Sequence, residues 1–279
     1  MTDHAQFVRD QMRQSWGART RPYAAQAEGH SAHTRQLIAL VDPQPGERVL
    51  DVATGPGVAA LAAATAIRPS GRVVATDLAP EWGEIIAERC AEAGVENVEF
   101  RAMGAEQLDL PDASFDVALC QFGLMFVPDP IQALQEMRRV LRDGGRLGAV
   151  VWSTIDRVPF LGAIQRFLAP YQRQLPPEQQ LPTPLSLGEP GLIEQHVNTA
   201  GFRDVSAQPY TFDVIFPSPL DYWRSRTESA PAHLRSTLDA LTSEQRERLE
   251  RDVLAELDQY RQGEALHMPG EAIYVTAVR

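Results

Sequence analysis

Apolar and polar positions alternate in blocks through the middle of the chain, and the blocks have the lengths of strands and helices. Short apolar runs are followed by longer amphipathic segments from Glu47 to Trp152. The first, fourth and fifth runs are almost continuously apolar, as expected of parallel strands covered on both faces. The pattern predicts strands at 48–52, 72–76, 97–102, 115–121 and 146–152, and helices at 57–68, 80–93 and 129–142.

This alternation predicts an α/β fold with a Rossmann-like, doubly wound and mostly parallel sheet. Before it, residues 5–42 have the mixed pattern of a helix, which the prolines at 43 and 45 end. We therefore expect an N-terminal helical lid at 1–45 and a ligand-binding core at 46–152.

After Trp152 the rhythm changes, and residues 153–279 are expected to combine the remaining core strands with a helical cap. Prolines between 175 and 184 exclude a helix or a central strand there. Thr242 and Gln245 are predicted to form a capping box. The pattern predicts helices at 157–171, 189–200 (ending before Gly201) and 219–262, strands at 203–216 and 273–278, and a buried helix face of Leu249, Val253, Leu257 and Tyr260.

Composition and charge narrow the classes of function. The chain has 279 residues, of which 44% are hydrophobic and 23% charged, values that fit a globular protein with a substantial core. The net charge of −11 opposes a nucleic-acid partner, whose phosphates are also negative. The arginines at 138, 139 and 142 are interpreted as the solvated face of a helix.

Two cysteines, Cys90 and Cys120, lie in unrelated segments. No disulfide framework is therefore expected, and a reducing cytoplasm is predicted. The first residues lack the basic and apolar regions of a signal peptide. No window approaches the roughly eighteen consecutive apolar residues of a membrane span, so no membrane association is expected.

The first predicted strand runs into a glycine turn that carries an acid. Residues 49–57 read VLDVATGPG, with Asp51 near the end of the strand, and Asp77 ends the next apolar run. A turn of this kind brings the backbone close to a nucleotide-like ligand, and a carboxylate after the second strand can bind a ribose.

The turn by itself is compatible with a dinucleotide or with S-adenosylmethionine. Residues 55–60 match the dinucleotide pattern G-x-G-x-x-A, which is a weak signal alone. Asp51 argues for S-adenosylmethionine, because a carboxylate there would repel a pyrophosphate but suits an ammonium and a sulfonium. In addition, no second sheet half with its own fingerprint follows for a nicotinamide.

Three downstream segments resemble a known family. They are residues 105–117 (AEQLDLPDASFDV), 120–130 (CQFGLMFVPDP) and 136–147 (EMRRVLRDGGRL). With the turn, they are similar to class I S-adenosylmethionine-dependent methyltransferases, in particular the ubiquinone- and menaquinone-biosynthesis enzymes and natural-product methyltransferases. The resemblance is strong over residues 46–152 and loose elsewhere. It implies S-adenosylmethionine as cofactor, S-adenosylhomocysteine as product, and a seven-stranded sheet whose last strand is antiparallel.

The resemblance also implies roles for matching residues. Asp51 and the turn would contact the methionine part and the ribose, and Asp77 would accept hydrogen bonds from both ribose hydroxyls. The family usually has aspartate where Gly104 stands, so water or Glu106 would have to replace that contact with the adenine amino group. The cofactor residues so predicted are Asp51, Ala53, Thr54, Gly55, Gly57, Asp77, Leu78, Gly104, Ala105, Glu106, Cys120, Gln121 and Phe122.

Several of these residues also have purely structural interpretations. Asp77 is a possible helix N-cap, and Cys120 suits a small apolar filler better than a nucleophile. Phe122, like Met125 and Phe126, is compatible with the core. Gln121 is compatible with pocket lining or with plain exposure.

The reaction class follows from motifs that the sequence lacks. Strand four is not followed by the Asn/Asp-Pro-Pro-Tyr motif of amino-methylating nucleic-acid enzymes, and no Pro-Cys nucleophile is present. Strand four also ends without the acids that hold magnesium in catechol-type enzymes, and no residue cluster has metal spacing. We expect metal-independent methyl transfer to a C, N or O atom of a small molecule, driven mainly by positioning.

No catalytic residue is assigned from the sequence. His30, His33, Tyr23 and Gln121 are the candidates, and Trp16, Tyr222 and Trp223 would add aromatic walls. His196, His233, His267 and Tyr171 are weaker candidates, and for each histidine simple packing or exposure is the alternative. Aromatic and apolar residues around 160, 167, 216 and 222 predict an enclosed pocket for an apolar or aromatic acceptor.

The sequence thus predicts an S-adenosylmethionine-dependent methyltransferase that acts on a small metabolite as a monomer or homodimer. Two alternatives remain at this stage. One is an enzyme that couples methylation to cyclisation, and the other is a module that binds S-adenosylmethionine without turnover.

Overall fold

One mixed sheet runs through the protein, and its strand order follows from the way the chain crosses over it. The computed structural model describes residues 3–25, 27–172, 176, 180–228 and 232–279. Within these ranges the strand order is β3-β2-β1-β4-β5-β8-β6, and β7 pairs with β8. The strands are β1 Arg48–Val52, β2 Arg72–Asp77, β3 Val98–Ala102, β4 Phe115–Gln121, β5 Leu141–Trp152, β6 Arg203–Phe216, β7 Arg261–Gln262 and β8 Ala265–Val278.

The five strands of the predicted core are parallel, whereas β8 runs antiparallel to both β5 and β6. The almost continuous apolar runs of β1 and β4 are buried, because helices cover the parallel sheet. The predicted Rossmann-like architecture with an antiparallel last strand is therefore confirmed. The two-residue strand β7 is an addition that was not expected.

Local sequence explains where the helices begin and end. In α6, the Asp129 carboxylate accepts a hydrogen bond from the Gln132 amide at 2.9 Å, and Pro130 occupies the first turn. The predicted capping box of Thr242 and Gln245 opens α11. The helices are α1 Asp3–Gly17, α2 Thr20–Ala24, α3 Ser31–Val41, α4 Val58–Ala66, α5 Trp82–Ala93, α6 Pro130–Val140, α7 Pro159–Gln172, α8 Leu192–Thr199, α9 Pro219–Glu228, α10 Ala232–Ala240 and α11 Ser243–Leu257.

The N-terminal region is not the single helix predicted for residues 5–42. It contains α1, α2, a 3-10 turn at Ala27–His30 and α3. Pro22 explains the first break, because proline is tolerated only in the first turn of a helix, so a new helix must begin just before it. The resulting bends let this region wrap over one end of the sheet.

Other boundaries also differ from the expectation. The region 219–262 divides into α9, α10 and α11, and β8 begins at Ala265 rather than at 273. The first half of β8 pairs with β6 but not with β5, so Pro269, which cannot donate to a ladder, is tolerated there. Strand β5 begins at Leu141 through an irregular register opposite Phe115. Part of the proline-rich stretch, residues 175 and 177–179, lies outside the described residues.

Helices cover the sheet and build a cap at one end. Helices α3 and α4 pack on each other and on the strands, and α6 packs with α8 against β5 and β6. Helix α7 contacts α10, α11 and β8, α9 packs on α11, and α1 touches α10. The N-terminal region and the cap thus meet above the carboxyl ends of the parallel strands. Across the described residues, no helix is both long and apolar enough to cross a bilayer.

Candidate functional site

A cavity of about 1000 Å³ opens at the carboxyl ends of β1, β2 and β4. Strand order reverses between β1 and β4, and open α/β sheets bind ligands at such a point. Loops after the strands form its floor, while α1 and the segment around Tyr23 and His30 form its cover. The predicted residues that line it are Asp51, Ala53, Thr54, Gly55, Asp77, Leu78, Gly104, Ala105, Glu106, Gln121, Phe122, Tyr23 and His30.

The glycine turn after β1 is held by backbone hydrogen bonds. The Thr54 amide donates to the Thr76 carbonyl at 2.9 Å, and Ala53 and Gly55 both adopt positive φ, 54° and 50°. A Cβ added to Gly55 would meet no atom within 4 Å, so the backbone there borders open space. Gly57 lies behind the cavity wall, where its α-carbon faces Ile86.

Asp51 lies at the bottom of this turn and is almost completely buried. Its Oδ2 accepts a hydrogen bond of 2.6 Å from the Thr54 hydroxyl. Burial raises the pKa of Asp51 to about 7, although the Thr54 hydrogen bond opposes the shift. The site therefore holds a carboxyl group whose ionisation near neutral pH depends on what else enters the cavity.

Asp77 ends β2 and fixes the glycine turn from the neighbouring strand. Its Oδ2 accepts from the Gly55 amide at 2.9 Å, and its Oδ1 accepts from the Ala79 amide at 3.0 Å. Burial raises its pKa to about 6, and these amides oppose the shift. Helix α5 begins later, with Glu81 in the N-cap position, so Asp77 is not the cap of that helix.

The loop after β3 brings Gly104, Ala105 and Glu106 to the cavity. An ion pair of 3.2 Å joins Glu106 to Arg9 of α1, and both side chains are largely buried, at 9% and 17% exposure. A Cβ on Gly104 would lie 3.6 Å from Glu106 and 3.9 Å from Arg9. The pair therefore occupies the region beside the position where the family usually has aspartate. Nothing in the sequence pattern identified Arg9 as a partner of this loop.

The end of β4 contributes Gln121 and Phe122. Gln121 accepts a hydrogen bond of 2.9 Å from the Thr34 hydroxyl, and Phe122, at a φ of 57°, stacks on Trp152 with ring centroids 3.9 Å apart. A Cβ on Gly123 would lie 2.5 Å from the Ala53 side chain, so only glycine lets the two turns approach. Cys120 is fully buried behind the wall, and burial raises the pKa of its thiol to about 12. It is not an active nucleophile in this state.

Aromatic side chains of the N-terminal region close the cavity. Trp16 packs edge-on against Tyr23 and Phe126, with centroids 5.2 and 5.4 Å apart. Met12 and Trp16, four residues apart on α1, both line the cavity, and this helical spacing is the signal that could have identified Met12. Trp82 of α5 also lines it.

The two N-terminal histidines differ in their access to the cavity. His30 lines it, with Nε2 3.3 Å from the Tyr23 hydroxyl. His33 is buried outside it and shares a hydrogen bond of 2.7 Å with the Tyr274 hydroxyl. Burial lowers the pKa of both to about 4, so both imidazoles are neutral at physiological pH.

A second cavity of about 860 Å³ adjoins the first, toward the cap. Trp152 and Phe160 add to its aromatic walls, and it also contains Gln165, Arg19 and Arg226. The two cavities share Trp16, Tyr23, His30, Phe122 and Phe126. We call these five residues the shared aromatic wall.

The remaining sequence candidates lie away from both cavities. Tyr222 and Trp223 are buried in the core, and Tyr171 packs partly buried against it. His196 on α8 and His267 on β8 line neither cavity. The side chain of His233 is outside the described residues. No group of three metal-ligating side chains occurs within the portion of the chain that the structure describes.

Comparison with known proteins agrees with this geometry. The model of the ubiE/COQ5 methyltransferase family matches residues 27–174, more than half of the chain. A demethylmenaquinone methyltransferase of Listeria monocytogenes is 36% identical over 121 residues, which cover 43% of this chain and 51% of the relative. An uncharacterized protein of Mycobacterium tuberculosis is 35% identical over 136 residues, covering 49% of this chain and 47% of the relative. The chain thus spans about half the length of these curated relatives.

Solved structures share the fold. The YcgJ protein of Bacillus subtilis has a TM-score of 0.58 at 22% identity, over 90% of this chain and 98% of that one. Phosphoethanolamine N-methyltransferase 2 of Haemonchus contortus, solved with S-adenosyl-L-methionine, has a TM-score of 0.55 at 18% identity, over 89% of this chain and 52% of that one. The chain belongs to the ubiE/COQ5 methyltransferase family.

Proposed function

We propose that the protein transfers a methyl group to a C, N or O atom of a small, largely apolar or aromatic metabolite, without a metal and mainly through positioning. The observation that carries this proposal is the shared aromatic wall between two adjoining cavities. One cavity suits the cofactor and the other suits an apolar acceptor. Because the two cavities share five lining residues, ligands bound in them would lie next to each other.

The first cavity fits S-adenosylmethionine, the proposed cofactor, in its chemistry. The open space beside Gly55 leaves room for a ligand against the backbone. Asp51 and Asp77 supply two carboxylates that suit an ammonium group and a ribose, respectively. When bound, the cofactor supplies an activated methyl group.

The protein's own residues are proposed to hold the cofactor and to orient it. Asp77, already fixed by the Gly55 and Ala79 amides, would accept from the ribose hydroxyls, and Leu78 would pack on the adenine. Ala105 and Glu106 would face the edge of that ring. Because Cys120 and Gly57 lie behind the wall, their predicted roles would be indirect, through the shape of the two turns.

Proximity and orientation would supply most of the rate, because a sulfonium methyl is already electrophilic. His30 lies on the shared aromatic wall and is available to accept a proton from the acceptor, whereas burial raises the pKa of Tyr23 and keeps its hydroxyl protonated. Neutral His30 can accept a hydrogen bond, but its low pKa makes it a weak base. An acceptor that must lose a proton would therefore have to be acidic itself.

The similarity to a demethylmenaquinone methyltransferase supports a quinone-like or other ring-containing acceptor. We also propose a lid at 1–45, a cofactor-binding core at 46–152 and a cap-bearing part at 153–279. A monomer or homodimer in a reducing cytoplasm completes the proposal, consistent with the free thiols of Cys90 and Cys120.

A methyl-transfer assay tests the proposal. With S-adenosylmethionine labelled in the methyl group, a panel of small phenols, quinols, amines and aromatic acids is offered beside tRNA and protein. Label should enter small molecules. Label found in the macromolecules alone would contradict a small acceptor.

A pair of variants tests the second cavity. Leu161→Trp, which fills this cavity, should lower kcat/KM for the acceptor about tenfold or more and leave cofactor affinity unchanged. The exposed control, Leu220→Trp, should change neither quantity.

A further inference from the structure

The second cavity contains positive charge that methyl transfer by positioning does not require. Arg226 of α9 lines it together with Arg19, while most of the other walls are aromatic or aliphatic. The protein as a whole carries a net charge of −11, so cations inside this cavity do not reflect a basic composition. Both side chains are half-buried, and charge in such a place is costly unless a partner compensates it.

The surroundings of Arg226 leave most of its hydrogen-bonding capacity unused. Its Nε donates to the Ser225 hydroxyl at 3.2 Å, and its guanidinium lies 6.0 Å from the centroid of the Phe216 ring. Among the side chains that the structure describes, no carboxylate lies within 4.0 Å of it. Arg226 thus lines the cavity, and its two terminal nitrogens have no anionic partner among the described residues.

The pKa shifts of the two arginines agree with a half-buried cation that lacks an anionic partner at Arg226. Burial lowers the pKa of Arg226, and the nearby hydroxyls of Tyr222 and Tyr23 oppose the shift only in part. Burial also lowers the pKa of Arg19, and the positive charge of Arg226 adds to that effect. The two guanidinium groups thus repel each other weakly within one mainly apolar chamber, and an anion beside Arg226 would offset the cost of burying its charge.

We propose that the methyl acceptor carries a carboxylate and that Arg226 binds this carboxylate in the second cavity, with the charge of Arg19 in support. This inference rests on the proposed function. The planar guanidinium matches a carboxylate with two parallel hydrogen bonds. A mainly apolar chamber with two arginines suits a single negative charge better than the several charges of a diphosphate.

The position of Arg226 also assigns a role to the carboxylate. Arg226 lines the second cavity but not the first, so the carboxylate is held on the acceptor's side of the shared aromatic wall. The rest of the acceptor then extends toward the shared aromatic wall. The carboxylate is therefore an anchor, and the atom that receives the methyl group lies elsewhere in the molecule.

Binding of matched acids and alcohols tests the inference. The probes are 1-naphthoate with 1-naphthalenemethanol, indole-3-acetate with indole-3-ethanol, and 4-hydroxybenzoate with 4-hydroxybenzyl alcohol. Calorimetry is done with the whole protein saturated with S-adenosylhomocysteine. At least one acid should bind about tenfold or more tightly than its alcohol, the size expected for a charge-assisted hydrogen bond.

Two variants locate the preference. Arg226→Gln should abolish it, while Arg224→Gln, an exposed arginine on the same helix, should keep it. Affinity for S-adenosylhomocysteine should stay within about twofold in both, which also shows that they fold. Arg226→Lys keeps the charge but not the planar fork and should retain only part of the preference for acids. It replaces Arg226→Gln as the test if the glutamine variant does not fold.

Four other results would count against the inference or against the proposed function. Acids that bind no better than alcohols, or a preference that survives in Arg226→Gln, would overturn the inference. Tighter binding of 1-naphthyl phosphate than of 1-naphthoate would overturn the assignment to a carboxylate. Failure of S-adenosylhomocysteine to bind would instead count against the proposed function itself, so the two failures are distinguishable.

Discussion

At the scale of single residues, Asp77 is the group on which the proposed cofactor site is expected to depend most. It accepts from the Gly55 and Ala79 amides and also lines the cavity. We expect Asp77→Asn to weaken S-adenosylhomocysteine binding about ten- to a hundredfold, because the amide offers fewer and weaker acceptors to two hydroxyls. Calorimetry measures the change.

Asp109→Asn is the matched control, since Asp109 is an exposed carboxylate in the loop that contributes Glu106. It should bind as the native protein does. Equal affinity of the native protein and Asp77→Asn would remove Asp77 from the ribose site.

Sequence predicted well those site residues that follow directly from strand ends. Asp51 and Asp77 lie at the ends of β1 and β2, and both reach the cavity. Arg9 and Arg226 were not predicted, because they come from α1 and α9, and only the tertiary packing brings them to these cavities. The sequence also gave no means of separating Gly55, which borders the cavity, from Gly57, which packs against α5.

At the scale of secondary-structure elements, the Arg9–Glu106 pair joins the N-terminal region to the core. Arg9→Ala leaves a largely buried carboxylate beside Gly104 without its cation, which costs about 1–3 kcal/mol. We expect the amides of α1 to exchange hydrogen about tenfold faster or more, while β1 and β4 keep their protection. Hydrogen exchange followed by mass spectrometry measures both.

Arg13→Ala provides the control on the same helix, since Arg13 is exposed and makes no ion pair among the described residues. Its α1 should exchange as in the native protein. If both variants speed exchange equally, loss of arginine side chains from α1 explains the result and the ion pair does not.

Element types were predictable over most of the chain, whereas several boundaries were not. Buried parallel strands and capped helices carry local signals, such as the apolar run of β4 or Asp129 before α6. The early start of β8 depends on pairing with β6, which lies about sixty residues earlier in the chain. Proline disfavours a central strand, but Pro269 is tolerated because this part of β8 pairs with β6 and not with β5.

At the scale of the whole molecule, stability against pH combines two opposing sets of buried groups. Burial raises the pKa of Asp51 to about 7 and that of Asp77 to about 6, so the folded state disfavours their ionised forms. Their contribution therefore makes the folded protein less stable as pH rises from about 4 to 7. His30 and His33, with pKa values lowered to about 4, make it more stable as pH rises from about 4 to 6.5. The shifts have similar size, so the two trends largely offset each other.

Ligand binding separates the contribution of the carboxylates from that of the histidines. A ligand with a cationic group or hydroxyls favours the ionised carboxylates, whereas the histidines remain neutral. Affinity for S-adenosylhomocysteine should therefore rise by about one to two orders of magnitude between pH 5 and pH 8, with protons released on binding. Calorimetry in two buffers of different ionisation enthalpy counts those protons, and the ligand-induced rise in Tm should grow over the same range. Asp51→Asn should flatten both dependences. A pH-independent affinity in the native protein would mean that neither carboxylate changes its ionisation when the ligand binds, and the raised pKa values would then have no part in cofactor recognition.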